Sequence, residues 1–237
     1  AAALLKQATL TTQNLKQPLT NISGRVSYAA NLIQWEDVQA TFKDEIYTLN
    51  GELNNFSRPV VKTTLLSPKI KLETQINILN NAFQIISLNG NYLANSFDIK
   101  GDVHLFKDKD PDCDLRAAIS LDLKEVVGII KEWAPDEFLT QWQDQLDSTK
   151  PEGTLVLEGL WRGTLKNWRD WELTFKAQSP QISFMNLSFK DLNMEFGQRE
   201  QYIHQCNIAA SIYEGIFNLT LSSQLRDDLL PIQANLN

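Results

Sequence analysis

Two histidines, His104 and His204, and two cysteines, Cys113 and Cys206, make up this 237-residue chain's whole stock of imidazole and thiol groups, the usual general base and soft metal ligands. His104 lies two residues after Asp102, and His204 stands between Ile203 and Gln205 with only Cys206 at a ligand-like distance. Neither spacing matches a zinc motif, so both histidines read as solvated or locally hydrogen-bonded. The cysteines fall in different halves of the chain, and nothing in the sequence brings their Cα atoms within the ~7 Å that a disulfide needs. They read as free thiols. Carboxylates alternate through Asp108-Lys109-Asp110-Pro111-Asp112-Cys113-Asp114 in the manner of a calcium loop, but the loop glycine and the closing Glu are missing. A polar hairpin loop is the expectation there. Trp161, Trp168 and Trp171 could stack sugars, but large rings in a sheet with a small core more often fill gaps between elements. The glycosylation sequons at Asn21, Asn55, Asn186 and Asn218 are what chance gives a chain with 19 asparagines. No catalytic residue, metal or cofactor is expected, and the chain reads as a non-enzyme.

Charge narrows the partners. Twenty-two Lys and Arg against 29 Asp and Glu give a net charge of −7, with the two signs interleaved. No basic stripe exists to neutralise phosphates, so nucleic acid is not an expected partner. No apolar run approaches the ~18 residues of a membrane span, which predicts a soluble segment. The opening Ala1-Ala2-Ala3-Leu4-Leu5 has no initiator Met or basic leader and reads as part of a longer protein whose targeting segment or anchor lies elsewhere.

The elements that would position any site are predominantly strands. Val103 and Leu105 alternate with Asp102 and His104. Leu115, Ala117, Ile119, Leu121 and Leu123 share a face opposite Arg116, Ala118, Ser120 and Asp122. Leu155 and Leu157, and then Phe217, Leu219, Leu221 and Leu225, repeat the pattern. Between them the alternation slips by one residue at Met185-Asn186 and again at Lys190-Asp191, and a turn or bulge at each slip would restore the facing. Asn50-Gly51 and Asn89-Gly90 predict two-residue hairpin turns, or else bulges within strands. No helix-length pattern separates successive strands, so an antiparallel meander is expected.

One stretch departs from that rule. Leu123, Val126, Val127, Ile130 and Ala134 recur at helical spacing behind Asp122 and Glu125, a capping-box-like start, and Pro135 closes the run. Phe138, Leu139, Trp142 and Leu146 predict a second short helix, stopped by Ser148-Thr149-Lys150-Pro151. The organisation is therefore one domain over 1–237: β over 1–121, a helical insert over 122–147 and β over 152–237.

Segments ending in glycine also repeat: Ile22-Ser23-Gly24-Arg25-Val26, Thr48-Leu49-Asn50-Gly51-Glu52-Leu53, Ser87-Leu88-Asn89-Gly90-Asn91-Tyr92 and Asp98-Ile99-Lys100-Gly101-Asp102-Val103. Taken in order with Pro18-Leu19, Arg58-Pro59, Leu66-Ser67-Pro68-Lys69-Ile70, Asn95-Ser96-Phe97, Gly153-x-Leu155 and Gly159, they resemble the carboxy-terminal region of AsmA-like proteins over most of the chain. The resemblance implies an elongated, twisted antiparallel sheet, an open taco-like groove of the repeating-β-groove group to which TamB-like proteins belong. It also implies a periplasmic protein, anchored to the inner membrane at full length, that carries phospholipid or another envelope lipid or helps assembly proteins of the outer membrane. The short length, the absent amino-terminal anchor and the two cysteines depart from that pattern.

A sheet with an apolar face must cover it, close into a barrel or leave it open for a guest. Ile119, Leu121, Leu155, Leu157, Phe217, Leu219 and Leu221 are the expected lipid-facing stripe. Val127, Ile130, Trp133 and Trp142 are the expected contacts of a helical cap docked on the sheet. The alternative is a β-sandwich module for carbohydrate binding or adhesion, in which a second sheet covers the same stripe.

Overall fold

The computed structural model describes residues 1–11, 18–105, 110–133, 143–144, 146–164, 171–185, 187–213, 215–224 and 233–236. They form a mainly β protein with one α-helix of eleven residues. Fifteen strands pair in an order that follows the chain, as expected when each connection is local. By contacts the chain falls into two compact units, Ala1–Leu93 with Asp98–Phe106, and Ala94–Phe97 with Lys107–Asn237.

The first unit holds β1 (Ala2–Leu10), β2 (Leu19–Ala29), β3 (Leu32–Phe42), β4 (Glu45–Asn54), β5 (Val60–Leu66), β6 (Ile70–Leu79), β7 (Ala82–Tyr92) and most of β8 (Asn95–His104). From β1 to β7 each neighbouring pair is antiparallel. The two Asn-Gly pairs make none of the turns. Gly51 lies within β4, opposite Trp35 on one side and Thr63 on the other, and Gly90 lies within β7 opposite Leu72. Close approach, not turning, is what requires glycine: a Cβ at Gly51 would stand 2.7 Å from the Trp35 ring and would collide with the Lys62 carbonyl. A bulge does lie beside Asn50, but on the neighbouring strand. There Asp37 has φ 48 and donates its N–H to Asn50 Oδ1 at 2.7 Å. The tight turn from β3 to β4 is Lys43-Asp44, with φ 47 and 63, the positive pair that a type I′ turn needs.

The second unit holds β9 (Asp112–Asp122), α1 (Leu123–Trp133), β10 (Glu152–Thr164), β11 (Glu172–Phe184), β12 (Leu187–Arg199), β13 (Tyr202–Ile212), β14 (Gly215–Gln224) and β15 (Gln233–Leu236). All six of its neighbouring strand pairs are antiparallel. Both sequence slips coincide with backbone reversals: Met185, φ 48, sits in the β11–β12 turn, and Asp191, φ 51, stands where the β12–β13 register shifts. Facing is restored, since Phe189 pairs with Ile182 before the shift and Leu192 pairs with Ser179 beyond Asp191. A second positive-φ pair, Glu200-Gln201 with φ 51 and 64, turns β12 into β13.

Leu123, which extends the alternation of β9, is already the first residue of α1. Asp122 caps that helix by accepting the Glu125 N–H at 2.9 Å. The box does not close on itself, because Glu125 Oε2 turns to Ala94 N at 2.7 Å and Asn95 Nδ2 at 3.2 Å instead. Residues 143–144 and 146–149 are helical, so the second helical stretch takes in Ser148 and Thr149 rather than stopping before them. Lys131 Nζ and Asp147 Oδ1 join it to α1. The core is small: Ile182, Leu192 and Ala210 are buried, with Leu123, Leu155, Phe184, Phe189 and Ile208 packed on them.

Candidate functional site: an apolar sheet face

Directly opposed residues in an antiparallel sheet point to the same side, so register converts single-strand stripes into rows that cross strands. Ile119, Leu157, Ala177, Met194, Ile208 and Leu219 form one such row from β9 to β14. Beside it run Ala117, Gly159, Phe175, Phe196, Cys206 and Leu221, in which the Phe175 and Phe196 rings stack at 4.8 Å. Leu121 pairs with Leu155, and Phe217 with Ala210. All seven stripe residues predicted from the sequence therefore share one face of the second unit, and each of them is half-buried.

The opposite face is polar. Glu158, Lys176, Glu195, Asn207 and Thr220 form a row of their own. Lys176 Nζ meets Glu195 Oε1 at 2.9 Å, and this hydrogen bond and charge raise the Lys176 amine. Gln178 continues the pattern, its Nε2 donating to Asn193 Oδ1 at 3.4 Å. A shallow depression there is lined by Asn193, Glu195, Asn207, Ala209, Asn218 and Thr220, with Ile208 and Leu219 also reaching its wall.

The first unit repeats the division. Tyr28, Ile33, Leu53, Val61, Ile76 and Ile85 make one apolar row, and Val38, Leu49, Leu65 and Leu72 another. Ser27, Gln34, Glu52, Lys62, Gln75 and Ser87 make a polar row on the other side, where Lys62 faces Glu52 at 3.6 Å. In this unit sequence reasoning named only the alternation of Val103 and Leu105 and no lipid-facing stripe. Its strands break step at bulges, so alternation over any one strand is short.

The polar candidates do not assemble. His104 is exposed at the end of β8, and exposed His204 lies against Gly197, while Cys206 belongs to the apolar face. Asp114 is paired with Arg162 at 2.9 Å, whereas Asp108 and Lys109 lie outside the described residues. Among the described residues no group of three or more His, Cys, Asp or Glu could hold a metal ion. Cys113 and Cys206 are both free, and burial raises both thiols, with Asp112 and Asp114 adding to the rise at Cys113. Trp161 and Trp171 pack at 4.7 Å with their planes tilted by 53°, and Trp171 Nε1 donates to the Thr164 carbonyl at 2.6 Å. Both residues are half-buried; Trp168 lies outside the described residues. Of the cap candidates, Val127 and Ile130 are half-buried on α1. The Trp133 side chain and all of Trp142 lie outside the described residues, as does Leu225 of the stripe.

No protein-family model, curated protein or solved structure matches the chain.

Proposed function

We propose that this chain is a non-enzymatic envelope protein that binds or conducts lipid on the apolar face of its sheet, in the manner that its resemblance to AsmA-like proteins implies. The observation that carries the reading is the in-register row Ile119, Leu157, Ala177, Met194, Ile208 and Leu219: six strands present apolar groups to one side, and only Ala177 among them is fully buried. An acyl chain laid on such a row gains about 0.8 kcal/mol per buried methylene while its headgroup remains in water. Phospholipid or another envelope lipid is the proposed ligand. A periplasmic location with an inner-membrane anchor elsewhere in the full-length protein belongs to the same proposal.

A photo-reactive amino acid at Leu157 tests it. With envelope lipid present, the probe should capture lipid, and Leu219→Asp should abolish that capture while circular dichroism and melting temperature stay near wild type. If Leu219→Asp unfolds the protein, the face is ordinary core, because a buried unpaired charge is what would unfold it, and the reading fails.

A further inference from the structure

The apolar face of the first unit ends in charge. Along β4 that face carries Glu45, Tyr47, Leu49, Gly51 and Leu53 in turn, because every second residue of a strand points to the same side. Tyr47 therefore stands one step beyond the row Val38, Leu49, Leu65 and Leu72. Ile70 stands one step beyond it on β6, and Tyr92 of β7 is its partner. Tyr47 Oη donates to Glu45 Oε2 at 3.3 Å, and Lys69 Nζ pairs with Glu45 Oε1. Burial and then Glu45 raise the Tyr47 phenol, and Tyr92 and Lys69 also act on it, so the four groups lie together. The Glu45 and Lys69 pair is unlike Arg25 with Glu36, Lys62 with Glu52 and Lys71 with Glu73, which stand on the polar face.

The local backbone holds these groups in place. Ser67 N donates to the Ile70 carbonyl at 2.7 Å, and Ser67 Oγ accepts the Lys69 N–H at 3.2 Å and the Ile70 N–H at 3.1 Å. The Leu93 N–H, next to Tyr92, donates to the Lys69 carbonyl at 2.8 Å. We propose that Glu45, Lys69, Tyr47 and Tyr92 form a head-group subsite for a zwitterionic phospholipid, with its ammonium against Glu45, its phosphate against Lys69 and its acyl tails on the row inside. The proposal rests on the lipid-binding reading above and names the class of lipid.

Charge selects this occupant. One ammonium, one carboxylate and two phenols sum to zero, so a net-anionic head group would bring a charge that the cluster leaves unmatched. A zwitterion brings one charge of each sign. A carboxylate offers about four acceptor positions, and Lys69 and Tyr47 fill two of those on Glu45, which leaves room for a second ammonium. The Lys69 side chain is 40% exposed and that of Glu45 22%, so both are reached from solution. A pair this exposed adds little stability of its own, and sharing it with a head group costs correspondingly little. At the other end of the face the Tyr28 and Phe56 rings stack at 6.1 Å. The face thus has one apolar end and one charged end, which is the polarity of a lipid.

Native mass spectrometry of the delipidated 237-residue chain, offered phosphatidylethanolamine or phosphatidylglycerol of one acyl composition, tests the proposal. Wild type should hold the ethanolamine lipid about tenfold better. Glu45→Gln and Lys69→Met should each bring the ratio within about twofold of one, while Lys62→Met, on the polar face, should keep it. Circular dichroism checks the fold of each variant, and if one cluster variant loses the wild-type spectrum the other carries the test. Equal retention of the two lipids by wild type would overturn the proposal, as would an unchanged preference in the folded cluster variants or an equal loss in Lys62→Met. Full competition by free phosphoethanolamine would make this a site for a soluble metabolite, with the same consequence. A lipid adduct at Leu157 without head-group preference would overturn this inference alone. If wild type neither retains lipid nor gives that adduct, the lipid-binding reading itself fails.

Discussion

Asn95 and Glu125, thirty residues apart, close a ring of hydrogen bonds around the first turn of α1. Asn95 Nδ2 donates to Glu125 Oε2 at 3.2 Å, Glu125 N to Asp122 Oδ1 at 2.9 Å, and Asp122 N to Asn95 Oδ1 at 2.9 Å. Asn95 is only 6% exposed, so each of these groups would be costly to leave unpaired. The ring fixes where the helical insert leaves β9, and with it the position of Leu123 on the core.

Asn95→Ala removes both amide partners of the ring. The variant should lose about 1–3 kcal/mol in chemical denaturation. Hydrogen exchange should show the loss of protection concentrated in the first turn of α1, and unchanged protection there would show that the ring does not hold the helix.

Two glycines should respond in opposite directions to the same added methyl. Gly51→Ala meets the Trp35 ring and the Lys62 carbonyl and should cost about 2 kcal/mol or more. Gly128→Ala, inside α1 with nothing within 4 Å of the new atom, should gain about 0.5–1 kcal/mol. Urea unfolding of the two variants measures both signs.

Asp191, with φ 51, restores the facing of β12 at a sequence slip. A β-branched side chain resists that conformation, so Asp191→Val should cost about 1–2 kcal/mol, whereas Asp191→Gly should change stability by less than about 0.5 kcal/mol. Thermal melts of the pair check the order.

Burial raises the Cys113 and Cys206 thiols and the Tyr47 phenol above their ordinary values, with Glu45 adding to the rise at Tyr47. The folded chain therefore holds these protons after the unfolded chain has released them. Their contribution to stability is intact below the ordinary thiol range and falls as pH rises through it toward the raised values. Unfolding free energy should decline from about pH 8 to about pH 10, less steeply in Cys113→Ala. Alkylation of the native protein should be slower at Cys113, which is 3% exposed, than at Cys206.

Period-2 alternation in the sequence was enough to specify β9, β10 and β14 and to say which of their residues share a face, because side chains along a strand can point only to two sides. The same periodicity located the slips at Met185 and Asp191, and the switch to helical spacing located α1 and its Asp122 cap. Local sequence does not say which residue of one strand stands opposite which residue of the next. Register decided that Ile119, Leu157 and Leu219 belong to a row completed by Ala177, Met194 and Ile208, residues that no single strand's pattern joins. It also decided that Gly51 admits the Trp35 ring instead of turning the chain, since the demand for a missing side chain comes from a neighbouring strand. The Asn95–Glu125 ring is of the same kind: its members are far apart in sequence, and only folding brings the buried amide to the helix start, where backbone donors would otherwise lack partners.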